Sequence, residues 1–517
     1  MRGWGVALGV AACLVAGAGR AHDLTHQTAV PEQAHLVAPP EHGVWYEVFV
    51  RSFADSDGDG VGDLPGLRAR LPYLAELGVT GLWLMPVHPS PSYHGYDVTD
   101  YYAVNPDYGT LEDLLAVLQD AHALGMRVIL DLVPNHTSSQ HPWFQAALAG
   151  DPAYRDHYVW SSDPPPWRGT RGGSAWHAAG DDYYLGLFSP AMPDLNHRNP
   201  AVVQELYDVA SFWLGLGFDG FRVDAVQHVV EGEDGRIANA PENYEWVRGF
   251  VEHVRSVSPG ALVVGETWTE TPAIVAYHRD AGLPASFDYP LWRDLTGAVQ
   301  RRSAADLAFA LEQEEALYPP GAVRATFTGN HDQARFATQL SVPRRDERRL
   351  ELAASLLLTL PGTPFVYYGE EVGMTDGPGA FDVEKRTPMP WEPGEGLGFT
   401  TGTPWTDPGT PQPGVTVAEQ REDPDSLWWH YRRMIALRRM HPALYRGRTR
   451  VLDAGQRAVL ALERDAGDEV LYVVANVSAR DLEVDVAGLP AGVVDVLTGR
   501  PFDGTVPALS LLVLAPR

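Results

Sequence analysis

Between residues 43 and about 441, short runs of β-branched and aromatic residues alternate with longer stretches whose apolar positions recur at helical spacing. The strand-like runs are residues 44–53, 81–87, 127–134, 218–224, 261–266, 285–288, 325–328 and 364–368. Helical patterns lie between most of them, at 67–77, 111–124, 202–216, 244–256, 304–316 and 348–358, with a last one at 427–440 after a long loop. Alternation on this scale predicts parallel strands joined by helical crossovers. About eight strand–helix units predict a closed (β/α)8 TIM barrel, an α/β fold whose active site sits at the C-terminal strand ends. A doubly wound open sheet is the competing arrangement, and it would gather its ligands at one switch point.

Two stretches depart from the alternation. Residues 138–193, rich in Trp, Tyr, Gly and Pro, are too long for a simple crossover and predict an inserted domain after the third strand. Beyond residue 444 the pattern becomes that of alternating β segments (458–462, 469–477, 482–486 and 509–514), which predicts a small antiparallel β-sandwich over 445–517. The barrel is then made in two parts, 43–137 and 194–444.

Strands buried on both faces are apolar throughout, yet four of these end in polar residues. The segments are Asp131-Leu132-Val133-Pro134-Asn135-His136, Gly220-Phe221-Arg222-Val223-Asp224, Gly265-Glu266-Thr267-Trp268 and Thr328-Gly329-Asn330-His331-Asp332. Convergence on one site accounts for all four. The strand period of two puts Arg222 and Asp224 on one face, where the guanidinium is expected to hold Asp224 ionised, as a glycosidic nucleophile requires. Glu266 ends an apolar strand beside Trp268, a setting expected to raise its pKa for general-acid work. A buried Arg–Asp ion pair with a capping glutamate explains either segment alone, but not all four together.

The four segments resemble, in order and spacing, the short sequence regions of the α-amylase superfamily, glycoside hydrolase family 13. Gly220 to His228 resembles its G-F-R-x-D-A-x-x-H region, Val264 to Glu266 its V-G-E region, and Asn330 to Asp332 its N-H-D region. The resemblance runs from Val44 to about Glu371. It implies Asp224 as nucleophile, Glu266 as general acid/base and Asp332 as a third, transition-state-stabilising carboxylate. It also implies sugar binding by Tyr96, His136, Arg222 and His331, with His94, Gln227, His228 and Arg335 around them. The reaction implied is retaining cleavage of α-glucosidic bonds through a glycosyl-enzyme intermediate. A non-catalytic glycan-binding relative would be expected to lack part of the acid set, and Asp224, Glu266 and Asp332 are all present.

Substrate choice rests on fewer positions. Exo-acting α-glucosidases of the family commonly carry Asp before Asn-Gly-Tyr; here Tyr93 precedes His94-Gly95-Tyr96, which implies internal cleavage of α-1,4-glucan such as starch. Gln227-His228 departs from the Lys-His of many endo-amylases, and Met192-Pro193-Asp194-Leu195-Asn196 resembles neopullulanase- and cyclodextrinase-like members. An α-glucosidase, cyclomaltodextrinase, neopullulanase or 4-α-glucanotransferase is the alternative on this scaffold. Trp143, Trp160, Trp167 and Trp176 either offer stacking platforms or fill the inserted domain's core.

Asp55-Ser56-Asp57-Gly58-Asp59-Gly60-Val61-Gly62-Asp63 has the spacing of the first part of an EF-hand loop, without the closing glutamate. An acidic turn before a helix is the plain alternative. Several family members carry a similar loop after the first strand, which implies Ca²⁺ held by Asp55, Asp57, Asp59, Asp63 and the Val61 carbonyl. Asn135 occupies the place of a second calcium ligand in many α-amylases.

A net charge of −28 argues against nucleic acid and anionic membranes as partners. Lys385 is the only lysine, which leaves Schiff-base and phosphate-loop chemistry almost nothing to work with. Arg2 and the apolar run 4–18 predict a signal peptide over 1–21, followed by a linker over 22–42 and hence secretion. The lone cysteine, Cys13, falls inside that run, where a short lipoprotein box is the alternative. Asp224→Asn is expected to abolish hydrolysis while leaving the fold; near-normal turnover on a soluble α-glucan would remove Asp224 from the nucleophile's role.

Overall fold

A computed structural model describes residues 42–340, 346–409 and 413–517. The expected signal segment, Cys13 and all of the linker except His42 lie outside the described residues. Eight parallel strands close into a barrel: β1 (Trp45–Val48), β2 (Gly81–Leu84), β3 (Arg127–Leu132), β7 (Gly220–Val223), β8 (Leu262–Gly265), β9 (Ala285–Phe287), β10 (Val323–Thr326) and β11 (Thr363–Tyr367). The segment after β3 forms a three-stranded antiparallel sheet from β4 (Trp160–Ser161), β5 (Trp176–Ala179) and β6 (Asp182–Leu185), with β6 in the middle.

The period of two divides the barrel strands between two apolar environments. Outward residues such as Tyr46, Leu82, Leu130 and Phe221 pack in the large core that includes the helices. Inward residues, among them Trp45, Trp83, Ile129, Val264, Phe287, Phe327 and Phe365, form a separate interior cluster. The inward positions that follow Trp45 and Ile129 on their strands are Glu47 and Asp131, both buried, and Asp131 is in register with Arg222. The apolar plug thus ends in a charged layer.

Helix starts and short strands differ from the sequence expectations for definable reasons. The helices Leu64–Leu77, Pro200–Gly215 and Pro241–Val257 each begin three or two residues earlier than the apolar period indicates, with proline in the first two positions. Thr271–Ala281 and Tyr289–Arg301 were not expected at all; each carries proline at its start as well. Proline at this point forfeits no intrahelical bond and presets φ, so it opens these helices instead of breaking them. The first expected strand, 44–53, stops at Val48, and Val50–Phe53 makes one helical turn. A continuous apolar run does not distinguish the two.

In the C-terminal domain, a five-stranded antiparallel sheet is built from Arg448–Leu452, Val459–Asp465, Val470–Asn476, Ser510–Ala515 and Val494–Asp495. Leu482–Glu483 pairs instead with Thr505–Val506, so the expected strand 482–486 is shorter and the second layer small. Leu460, Leu462, Leu471 and Val473 face the barrel's core, whereas Ala461, Tyr472 and Val474 face the domain's own.

Gly220 starts β7 with φ +141°, and a Cβ there would lie 1.9 Å from the Leu262 carbonyl oxygen on β8. The strand carrying Arg222 can therefore pair with β8 only if residue 220 has no side chain. Gly220→Ala is expected to lower the melting temperature and to cost most of the activity at ambient temperature. Thermal unfolding and an activity assay on the same preparation check this.

Candidate active site

The four polar segments emerge from the C-terminal ends of β3, β7, β8 and β10, at one mouth of the barrel. Arg222, 1% exposed, sits at its centre. Its Nη1 donates to both oxygens of Asp131, at 2.9 and 3.2 Å, and to Asp224 Oδ1 at 2.5 Å. Its Nη2 lies 2.9 Å from Glu266 Oε2. The guanidinium also lies near the rings of Trp83 and Tyr96, 5.1 and 5.8 Å from their centroids.

Around this centre the buried groups are linked in a chain. Asp131 Oδ2 accepts from Trp83 Nε1 at 3.1 Å and from the Tyr96 hydroxyl at 2.9 Å. The Tyr96 ring stacks on His331, with its hydroxyl 2.7 Å from Nε2. His331 Nδ1 is 2.5 Å from Glu47 Oε1. Glu266 Oε2 accepts the Ala225 N–H at 2.8 Å, while Oε1 is 3.3 Å from the Tyr289 hydroxyl. Ala225 has φ +44°, an unusual conformation for a non-glycine residue, directly after Asp224. Trp268 does not wall Glu266 as expected: it stacks on Tyr289 at 4.8 Å and is 48% exposed.

Asp332 is held from the opposite side of the barrel. Arg386 Nη2 donates to its Oδ1 at 2.9 Å, Arg386 Nε donates to the His331 carbonyl, and Lys385 Nζ donates to the Asp332 carbonyl at 2.8 Å. Both cations come from the long loop after β11, which carries no strand or helix signal that could have flagged them.

Burial and charge divide the carboxyls. Burial raises Asp224 to about 7 despite Arg222, so the expectation that the guanidinium holds Asp224 ionised is corrected: the charge is opposed by burial more than Arg222 restores it. Burial likewise raises Glu266 to about 7, against Arg222 and with help from Asp224 and Asp332. Two interacting carboxyls of this kind titrate as a pair and share one proton near neutrality. Burial also opposes the charge on Asp332, but His331, whose Nε2 lies 3.4 Å from Oδ2, and the cations Arg386, Arg222 and Lys385 outweigh it and hold that carboxyl below its usual range.

The expected sugar-binding residues separate into groups. Tyr96, Arg222 and His331 join the buried chain. His136 lies at the end of β3, and burial keeps its imidazole neutral by lowering its pKa to about 3. Its Nδ1 faces Asn135 Oδ1 at 3.0 Å, which leaves Nε2 as a buried acceptor without a protein partner. His94 Nδ1 accepts the Tyr96 N–H, so it orders that turn. Gln227 Nε2 is 3.1 Å from His228 Nε2, and His228 Nδ1 is 2.7 Å from the Ile237 carbonyl. Arg335 does not join the site: its guanidinium lies over Tyr367 and Tyr368 and donates to the Tyr368 carbonyl. Tyr93 stacks on Trp405 at 5.4 Å, with Arg386 5.7 Å from its ring centroid.

The inserted segment is tied to β3 where Leu195 N–H donates to the Asn135 carbonyl. Asn135 Nδ2 donates to the His228 carbonyl at 2.7 Å. Of its tryptophans, Trp160 is enclosed between Phe144 and Arg155, and Trp167 packs on Trp176. Trp160 packs, half-buried, on the Phe144–Tyr158–Tyr184 cluster, and Trp176 with the half-buried Trp167 forms a second small cluster with Leu185 and Leu187.

In the acidic loop, carboxylate oxygens of Asp55, Asp57 and Asp63 lie within 4.8 Å of one another. Asp59 is outside this group, and its Oδ1 accepts the Val61 N–H at 2.7 Å. Asp63 also caps the helix Leu64–Leu77 through the Gly66 N–H.

A closed parallel barrel whose mouth gathers the carboxyls of Asp131, Asp224 and Glu266 around Arg222, with Asp332 beside them, has the make-up of a glycoside hydrolase or transglycosylase. The family model for the alpha amylase catalytic domain matches residues 47–447. Alpha-amylase 3 of Dictyoglomus thermophilum is 38% identical over 444 residues, covering 85% of each chain. A trehalose synthase of Thermus thermophilus is 37% identical over 84% of this chain, which spans 50% of that protein's length. The crystal structure of an alpha-amylase from H.orenii superposes with a TM-score of 0.81 at 35% identity, covering 92% of this chain and all of that one. The chain belongs to the α-amylase family, glycoside hydrolase family 13.

Loss of the shared proton would place a second negative charge in the buried site. kcat/KM is therefore expected to fall as pH rises through about 7, where the acid is lost. With α-glucosyl fluoride, whose leaving group needs little protonation, Glu266→Gln is expected to release fluoride in a burst that lacks this alkaline limb. Arg386→Leu removes a main counter-charge of Asp332, so kcat/KM is expected to fall by ~10²-fold and the acid limb to move to higher pH. Pre-steady-state and steady-state pH profiles check both.

Proposed function

We propose that the protein is a retaining α-glucan hydrolase that cleaves internal α-1,4-glucosidic bonds in starch and maltooligosaccharides. The observation that carries the chemistry is the shared Arg222 fork. Anchoring Asp224 and Glu266 on one guanidinium favours the roughly 5–5.5 Å separation of retaining pairs over the ~6.5–9.5 Å of inverting ones. In this reading, the Asp224 oxygen not held by Arg222 attacks the anomeric carbon. Glu266 Oε2 is occupied by two donors, so the transferable proton resides on Oε1 and passes to the leaving oxygen. Asp332, kept ionised by Arg386 and its neighbours, steadies the oxocarbenium-like transition state and binds sugar hydroxyls. His136 Nε2 accepts a further hydroxyl.

Internal cleavage is supported by the Tyr93–Trp405 stack beside Arg386, which offers an aromatic platform where a carboxylate grip on a chain end would stand. A transfer reading has its own support in Trp268, an exposed indole backed by Tyr289 next to the general acid, suited to an acceptor sugar. Products from maltoheptaose separate the readings: mixed short oligosaccharides for internal hydrolysis, glucose first for exo-action, and longer chains for transfer.

The proposal includes one Ca²⁺ in the loop of Asp55, Asp57 and Asp63, whose clustered hard oxygen donors suit that ion. When bound, the ion would supply stability, not chemistry. It also includes export directed by the first 21 residues. No helix among the described residues is long and apolar enough to cross a membrane. Chelation is expected to lower the melting temperature and added Ca²⁺ to restore it; indifference to chelator would exclude the metal.

A further inference from the structure

We propose that Glu47 is a positioning residue of the active site: as a neutral carboxylic acid it donates its proton to His331 Nδ1, and so keeps the Nε2–H of that imidazole directed at Tyr96 and Asp332. The inference rests on the reading of Tyr96, His331 and Asp332 as the groups that hold the sugar.

Counting hydrogens along the buried chain leads to this arrangement. Asp131 beside Arg222 is an acceptor and takes hydrogens from Arg222, Trp83 and Tyr96. The Tyr96 hydroxyl has one hydrogen, spent on Asp131, so at 2.7 Å its oxygen must accept from His331 Nε2. The same Nε2 lies 3.4 Å from Asp332 Oδ2. Nε2 therefore carries a hydrogen. At the other end of the ring, one proton occupies the 2.5 Å contact between Nδ1 and Glu47 Oε1. Either the imidazole holds it, giving an ion pair, or the carboxyl does, giving a neutral pair.

The surroundings favour the neutral pair. Glu47 and His331 are each 1% exposed, so the ion pair would place two charges out of reach of water. Burial raises the Glu47 carboxyl well above its usual range; Arg222 opposes this, while Asp131 and Asp332 reinforce it. Tyr367, next to Glu47 across the β1–β11 pairing, adds an uncharged wall. Burial pushes His331 well below its usual value; Asp332 opposes this, while Arg386, Arg222 and Lys385 reinforce it. The consequence is a fixed tautomer. If Nδ1 carried the only ring hydrogen, the Nε2 lone pair would confront both the Tyr96 oxygen and the Asp332 carboxylate.

A neutral acid and an anionic partner respond in opposite ways to replacement by glutamine. The Gln amide is neutral and can donate to Nδ1, so Glu47→Gln is expected to keep kcat within about threefold of the parent and to leave its pH profile in place. Glu47→Leu removes the donor and is expected to lower kcat by ~10–100-fold with a smaller change in KM. Histidine ¹⁵N spectra at pH 7.5, with His331 assigned by its loss in His331→Asn, should show a neutral Nε2–H ring in the parent and in Glu47→Gln. An imidazolium or Nδ1–H ring in the parent would overturn the proposal, as would a Glu47→Gln enzyme no better than Glu47→Leu. The spectra decide the tautomer without any substrate, so failure of the glucan-hydrolase reading and failure of this one are told apart.

Discussion

The architecture of the site depends on one buried cation. Arg222 is almost wholly out of water, and burying an unpaired guanidinium would cost several kcal/mol. Three carboxyls from three strands, Asp131, Asp224 and Glu266, compensate it. Each is in turn too deeply buried to be charged without the arginine. The group is therefore interdependent: removing one member leaves the others with unbalanced charge. It stands on the apolar plug of Trp83, Ile129, Val264 and Phe287, which excludes water from below. The closed barrel supplies both conditions, because only a sealed interior offers a dry floor and strand ends converging above it.

Within this frame, burial and charge produce two kinds of acid from the same functional group. Asp224 and Glu266 share the field of one arginine with Asp131, and desolvation dominates, so both carboxyls rise and hold a proton between them. Asp332 is more open, at 32% side-chain exposure, and meets Arg386 and Lys385 from a separate loop; there charge dominates and the carboxyl falls. A single proton mobile between two raised groups, beside a permanent anion, is the electrostatic pattern that general-acid cleavage through an oxocarbenium-like state requires.

Much of this was legible in the chain before folding was considered. The alternation of strands and helices indicates the barrel, and the polar ends of four strands mark its active face. Signals failed where one local pattern has two physical outcomes. Proline at residues 272 and 290 suits a helix start as well as a break, so the sequence pattern does not announce the two helices that begin there. The apolar run 44–53 suits a buried strand or a buried helical turn. Arg335 adjoins the Asn-His-Asp segment, yet its side chain is taken up by Tyr367 and Tyr368. Arg386 lies 54 positions from Asp332 in a loop without periodicity, and no local rule joins them.

The amino-acid sequence by itself determined which residue types stand at the strand ends, and hence the reaction class, because a period of two fixes the face each side chain takes on its own strand. It did not determine their charge states or the loop cations beside them. Those depend on how far each carboxyl is withdrawn from water and which distant side chains close over it. Both quantities arise only when strands far apart in sequence are sealed into one barrel. Arg222 next to Asp224 could be read from two positions on one strand; that burial would outweigh the arginine could be decided only in three dimensions.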